Sequence, residues 1–81
     1  MITSRQVRAA RALLGWTQEM LADKALVALT ALKRLESERL KVREDTRDQV
    51  RRALEAAGIV FIASGRGEGV MLVQDPKTVR R

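Results

Sequence analysis

Gly15–Glu36, GWTQEMLADKALVALTALKRLE, decides how this chain folds. Gly15 supplies the left-handed residue that ends helices, and Thr17 follows as a side-chain cap for a new one. Glu19 then sits in a first turn, where the positive end of the helix dipole favours a carboxylate. Leu21, Ala22 and Ala25 recur at helical spacing and give this short helix its buried face. From about Ala28 to Ser37 a further helix turns Leu32 and Leu35 inward. Two short helices joined by a tight turn are therefore expected, and the turn falls on Leu26. A left-handed leucine there would cost roughly 1–2 kcal/mol, so either that strain is accepted or the turn has another geometry.

Upstream, Thr3 or Ser4 can cap a first helix in which Val7, Ala10, Leu13 and Leu14 form one apolar stripe. Downstream, Leu40 and Val42 alternate with Arg39, Lys41 and Arg43, which breaks the helical period between Glu38 and Glu44. A last helix from about Asp45 to Ala57 places Val50, Ala53, Leu54 and Ala57 together, and Gly58 closes it. One long helix is the rival reading, because no Gly or Pro interrupts Gly15 to Gly58. A single stripe would then have to pass through Arg39, Thr46 and Gln49, which argues against it. After Gly58 the chain becomes β-branched: IVFIA and VMLVQ flank SGRGEG and predict a β-hairpin from Ile59 to about Val73 with a long flexible turn. SGRGEG lacks the Gly-Lys-Ser/Thr ending and following helix of a phosphate-binding loop. The expected organisation is a helical domain over 1–58, a hairpin over 59–74 and an irregular basic tail over 75–81.

The chain has 81 residues, enough for one small domain. It has no cysteine or histidine, which removes disulfides, thiol chemistry, the usual zinc sites and imidazole catalysis. No cofactor or metal is expected. No apolar run approaches the about 18 residues that span a bilayer, and MITSRQVRAAR has no signal-peptide core, so a cytoplasmic protein without membrane partners is the expectation. Sixteen Lys and Arg against ten Asp and Glu leave a formal charge of +6. That sign favours polyanions through counterion release, nucleic acid above all. Its distribution is uneven: Met1 to Gln18 carries Arg5, Arg8 and Arg11 and no acid.

A helix-turn-helix needs a small residue where the two helices cross, here Ala22, and a glycine four residues later, here replaced by Leu26. An apolar residue follows, here Val27, and Leu32 and Leu35 anchor the second helix. Ala28 stands where a capping Ser or Thr is usual. With RAARALLGWTQEMLADKALV, LKRLE and RRALEAAGIVFI, the chain resembles the Cro/C1-type (XRE-like) family of bacterial and phage DNA-binding regulators over roughly Thr3 to Val73. The resemblance implies a mainly α fold, a four- or five-helix bundle of the lambda-repressor-like kind with a C-terminal β-hairpin. Departures are the missing turn glycine, no glycine near Glu38, no prolines near Val42 and Glu44, and Arg47 where an apolar residue is common.

By position, the resemblance matches Gln18 to a phosphate-binding glutamine, and Leu29, Thr30 and Arg34 to residues that reach base edges in the major groove. Lys33 lies beside them within reach of the backbone, and Lys41 and Arg43 fall in a loop that follows the phosphates. Arg11 and Glu36 match a pair that joins the first and third helices in some members. Each has a plainer reading: Gln18 as a solvated first-turn residue, Leu29 packed inward, Thr30 and Arg34 merely exposed, and Trp16 a core or staple residue. The implied function is a repressor-like regulator that binds double-stranded DNA. The competing class is a protein-interaction module, such as an antitoxin subunit that grips a toxin. The hairpin adds a homodimer, because both its faces are apolar. Ile59, Val60, Phe61, Ile62, Val70, Met71, Leu72 and Val73 are the candidate interface, with one face covering the helices and the other left for a second subunit.

Overall fold

The computed structural model describes residues 2–37 and 41–73. Four helices come first: α1 (Ser4–Leu14), α2 (Gln18–Ala25), α3 (Leu29–Ser37) and α4 (Glu44–Ala56). Two antiparallel strands follow, β1 (Ile59–Ser64) and β2 (Gly67–Leu72). The single long helix is excluded, since the chain leaves helical geometry after Leu14, after Ala25 and again before Glu44. The expected break between Glu38 and Glu44 lies partly outside the described residues, and the basic tail over 75–81 lies wholly outside them. Lys41, Val42 and Arg43 are non-helical.

Local chemistry sets the boundaries. Thr3 caps α1 in a reciprocal box: its hydroxyl accepts from the Gln6 N–H, and the Gln6 side chain accepts from the Thr3 N–H. The Thr17 hydroxyl accepts from the Met20 N–H and starts α2. Both helices close with the same pair of backbone bonds. The N–H groups of Gly15 and Trp16 donate to Ala12 and Arg11, and those of Leu26 and Val27 donate to Asp23 and Ala22. This double closure demands a left-handed residue at its corner. Gly15 has φ 71°, and Leu26 has φ 59° and ψ 43°. The turn between α2 and α3 thus keeps the ordinary geometry, with a leucine bearing the strain.

Leu21, Leu32, Leu35, Leu54, Val7 and Val50 are fully buried where the four helices meet, with Ala10, Ala22 and Ala25 filling the close contacts. Truncating one of those leucines would cost about 2–5 kcal/mol. Trp16 is half-buried at the edge of this core, as expected, and Lys24 Nζ lies 5.3 Å from its ring centre.

The hairpin is tighter than the sequence suggests. Strand pairing runs from Ile59 opposite Leu72 to Ser64 opposite Gly67, so only Gly65 and Arg66 form the turn. The long loop expected over SGRGEG is therefore corrected: Gly67 and Gly69 are strand residues. Ladder pairing needs only backbone, and side chains from α1 hold this stretch in place. Gln6, 3 % exposed, donates both amide hydrogens across the strands, to Ile62 O at 3.0 Å and Gly69 O at 2.9 Å. Arg5 Nε and the Thr3 hydroxyl both donate to the Glu68 carboxylate, at 2.6 and 3.1 Å. The Arg5 bond, and then that from Thr3, hold the Glu68 pKa below its ordinary value. The tie is thus present above the ordinary carboxylate pKa and lost as pH falls through the depressed one. At the other end Gly58, φ 105°, lets α4 turn straight into β1; a Cβ there would lie 2.6 Å from Val73 O.

Ile59 is buried and Phe61, Val70 and Leu72 are half-buried against the helices. Val60, Ile62, Met71 and Val73 face outward. Gln6→Ala is expected to cost about 2–3 kcal/mol in denaturant unfolding, because it removes the capping box and strands two carbonyls. Amide exchange should rise first in residues 59–72, with α2 and α3 least affected.

Candidate nucleic-acid interface

α3 is amphipathic in a way that fixes what it can present. Leu32, Leu35 and Glu36 are buried, whereas Thr30, Lys33, Arg34 and Ser37 are exposed. The exposed set recurs at three- and four-residue steps and forms one polar stripe with two cations. Leu29 is half-buried and packs on the core cluster, so it presents only part of its side chain outward. Lys41 and Arg43, in the segment leading to α4, are exposed. Arg43 reaches Asp45 at 3.2 Å, an ion pair open to water and of little weight.

Glu36 is the unusual member. Its side chain is 4 % exposed, and a carboxylate so placed must be fully bonded to remain charged. Arg11 donates to both carboxylate oxygens, from Nε at 2.7 Å and Nη2 at 2.9 Å. Gln18 Nε2 donates to Oε1 at 3.0 Å. Arg11 also donates from Nη1 to the Trp16 carbonyl at 3.0 Å. One buried carboxylate thereby joins α1, the start of α2 and the end of α3. The Glu36 hydrogen bond raises the Arg11 pKa above its ordinary value, so the guanidinium stays charged wherever the fold persists.

The same bond orients Gln18. A carboxylate accepts only, so the amide must present its nitrogen to Glu36, which leaves a second N–H on that nitrogen for another acceptor. The structure therefore brings together Arg11, Glu36 and Gln18, and displays Thr30, Lys33 and Arg34 on one helix face.

Sequence reasoning passed over Arg8. Its guanidinium donates to the backbone carbonyl of Glu36, and with Lys33, Arg34, Glu36 and Ser37 it lines one open groove. The signal was available: Arg8 precedes Arg11 by three residues, hence lies on the same face of α1. Among the described residues Glu36 is the one carboxylate that lines this groove, and Arg11 already neutralises it. The groove is thus basic, suited to an anion.

Residues 7–46 match the helix-turn-helix family. The chain belongs to the Cro/C1-type helix-turn-helix family. Its members are DNA-binding regulators, and this chain carries their DNA-binding domain. The match runs from within α1 to the start of α4 and leaves the hairpin outside it. No curated protein is significantly similar to the chain.

Removing either partner of the buried pair leaves the other without its counter-charge. Glu36→Ala and Arg11→Ala should each cost about 2–3 kcal/mol, below the about 3–5 kcal/mol of a fully buried pair because the Arg11 side chain keeps 21 % of its surface in water. The double variant should cost less than the sum, with a coupling of about 1–2 kcal/mol in a denaturation cycle. Strict additivity would mean that the pair is not coupled.

Proposed function

We propose that the chain is a sequence-specific, repressor-like transcriptional regulator that binds an operator as a homodimer through α3. The observation that carries this is the exposed stripe of Thr30, Lys33 and Arg34 on a helix whose opposite side is locked by Leu32, Leu35 and Glu36. A helix so fixed enters a groove with its side chains already aimed. Arg34 and Thr30 read base edges, while Gln18, Lys33, Lys41 and Arg43 contact phosphates and set overall affinity. Leu29, half-covered, contributes an apolar edge at most. Repression follows from occupancy: an operator-bound helix competes for the site.

Arg34→Ala should cost about 1–3 kcal/mol on a duplex enriched from a random pool and little on random duplex. Lys41→Ala should weaken both alike and flatten the salt dependence by about one unit of slope. Equal losses on both duplexes for Arg34→Ala would reduce it to a phosphate contact. No loss on either would take α3 out of the interface and favour the interaction-module reading.

The homodimer rests on the hairpin's outer face. Val60, Ile62, Met71 and Val73 are 42 %, 45 %, 49 % and 47 % exposed on one side of the sheet. Side by side, they make an apolar patch rather than scattered surface residues. A second copy covers it most simply, face to face about a two-fold axis. The other four hairpin candidates, Ile59, Phe61, Val70 and Leu72, serve the chain's own core. Two recognition helices then meet one side of the duplex, with half-sites about 10 base pairs apart or a multiple of that. Light scattering at micromolar concentration should report a dimer. Ile62→Lys with Met71→Lys should give a folded monomer that binds the enriched duplex far more weakly.

A further inference from the structure

Two turns in this chain are built alike and filled differently. At the end of α1 the left-handed corner is Gly15, where even a Cβ would meet nothing within 4 Å. At the end of α2 the corner is Leu26, with the same closure on the backbone and φ 59°. Among the described residues it is the one non-glycine with positive φ. Its side chain is 82 % exposed, so the fold gains almost no burial in return for the strain. Glycine would remove both penalties. A side chain kept in a strained corner and not used by its own fold points to a contact outside the chain.

The position of the corner says with what. Leu26 stands three residues before Leu29, the first residue of α3, next to the end of that helix which approaches base edges in this kind of domain. The exposed polar residues of α3, the helix that follows, include Thr30, Lys33 and Arg34, a polar and cationic face that suits DNA better than an apolar protein surface. The apolar group that the major groove offers is the thymine methyl. We propose that Leu26 is a specificity residue, which packs on a thymine methyl beside the bases read from α3. This rests on the reading of α3 as the helix that enters the groove.

The test uses the full chain and a duplex that wild-type protein enriches from a random pool. Leu26→Gly should raise the melting temperature by about 4–8 °C by relieving the corner. It should also weaken binding to the enriched duplex about fourfold per half-site, with random duplex unaffected. Replacing thymine by uracil, which lacks the methyl, at one position of each half-site should cost the wild type the same factor and cost Leu26→Gly nothing. An unchanged melting temperature would remove the strain on which the argument stands. Unchanged affinity of Leu26→Gly, as expected if a protein partner is the occupant, overturns the proposal, and so does a uracil penalty that is equal in both proteins. If Arg34→Ala loses specific binding while Leu26→Gly does not, the role of α3 stands and only this inference falls. If wild-type protein enriches no duplex, both fall.

Discussion

The buried carboxylate of Glu36 is the constraint around which the helical body is arranged. Moving a charge out of water costs several kcal/mol, and the cost is offset only where its oxygens are met by well-aligned donors. Here those donors come from α1 and α2, so both helices must be correctly placed before α3 can dock. The same bonds set the rotation of α3 about its axis. Rolling the helix to present another face would draw Glu36 away from Arg11 and leave an unpaired charge under the surface. With Glu36, Leu32 and Leu35 held inward, Thr30, Lys33 and Arg34 have no alternative but to face out. The face that α3 presents to solvent is thus a consequence of one ion pair's demands.

A second buried polar side chain repeats this logic at the far end of α1. Gln6 satisfies the Thr3 N–H and both strands of the hairpin at once, and it leaves no hydrogen of its amide unused. α1 is therefore the common scaffold. Thr3, Arg5 and Gln6 at its start seat the hairpin, whereas Arg8 and Arg11, from its middle onward, seat α3. The proposed subunit face and the proposed reading helix hang from opposite ends of one eleven-residue helix. That arrangement keeps the two at a fixed relation, which a dimer needs if its two helices are to meet successive turns of a duplex.

Most of the fold was legible because local chemistry and burial agreed. Helical spacing placed Leu21, Ala22, Leu32, Leu35, Val50 and Leu54 inside, and Gly15, Thr17 and Gly58 marked boundaries through backbone rules that act over a few residues. The continuous apolar runs IVFIA and VMLV also showed that both faces of the hairpin are apolar, one for the helices and one left over. What escaped was the polar interior. Gln6 and Glu36 look like surface residues, since sequence alone cannot say that donors distant in the chain converge on them. The Arg11–Glu36 pair came from family resemblance, because nothing in a separation of 25 residues predicts contact. Arg8 is a different case, since its three-residue step from Arg11 already places it on the same face of α1. The hairpin turn was drawn too long because glycine usually weakens strands; the side chains of α1 that hold Glu68 and Gly69 are far away in sequence.

The junction of α2 and α3 combines these threads. α3 has its strongest ties at its C-terminal end, where Glu36 and Leu35 are buried and Arg8 takes the Glu36 carbonyl. At its other end Ala28 offers no side-chain cap, Leu29 is only half-covered and Leu26 is strained. Stability along this helix therefore falls from the end held by the core toward the end proposed to approach DNA. Such a gradient suits a recognition element: the buried pair fixes the direction of the helix, while the first turn keeps weak internal bonds that contacts outside the chain can replace. A glycine at the corner and a serine before α3 would tighten the free protein but remove that division of labour. Leu26 at the corner and Ala28 before α3 each lower the stability of the same turn.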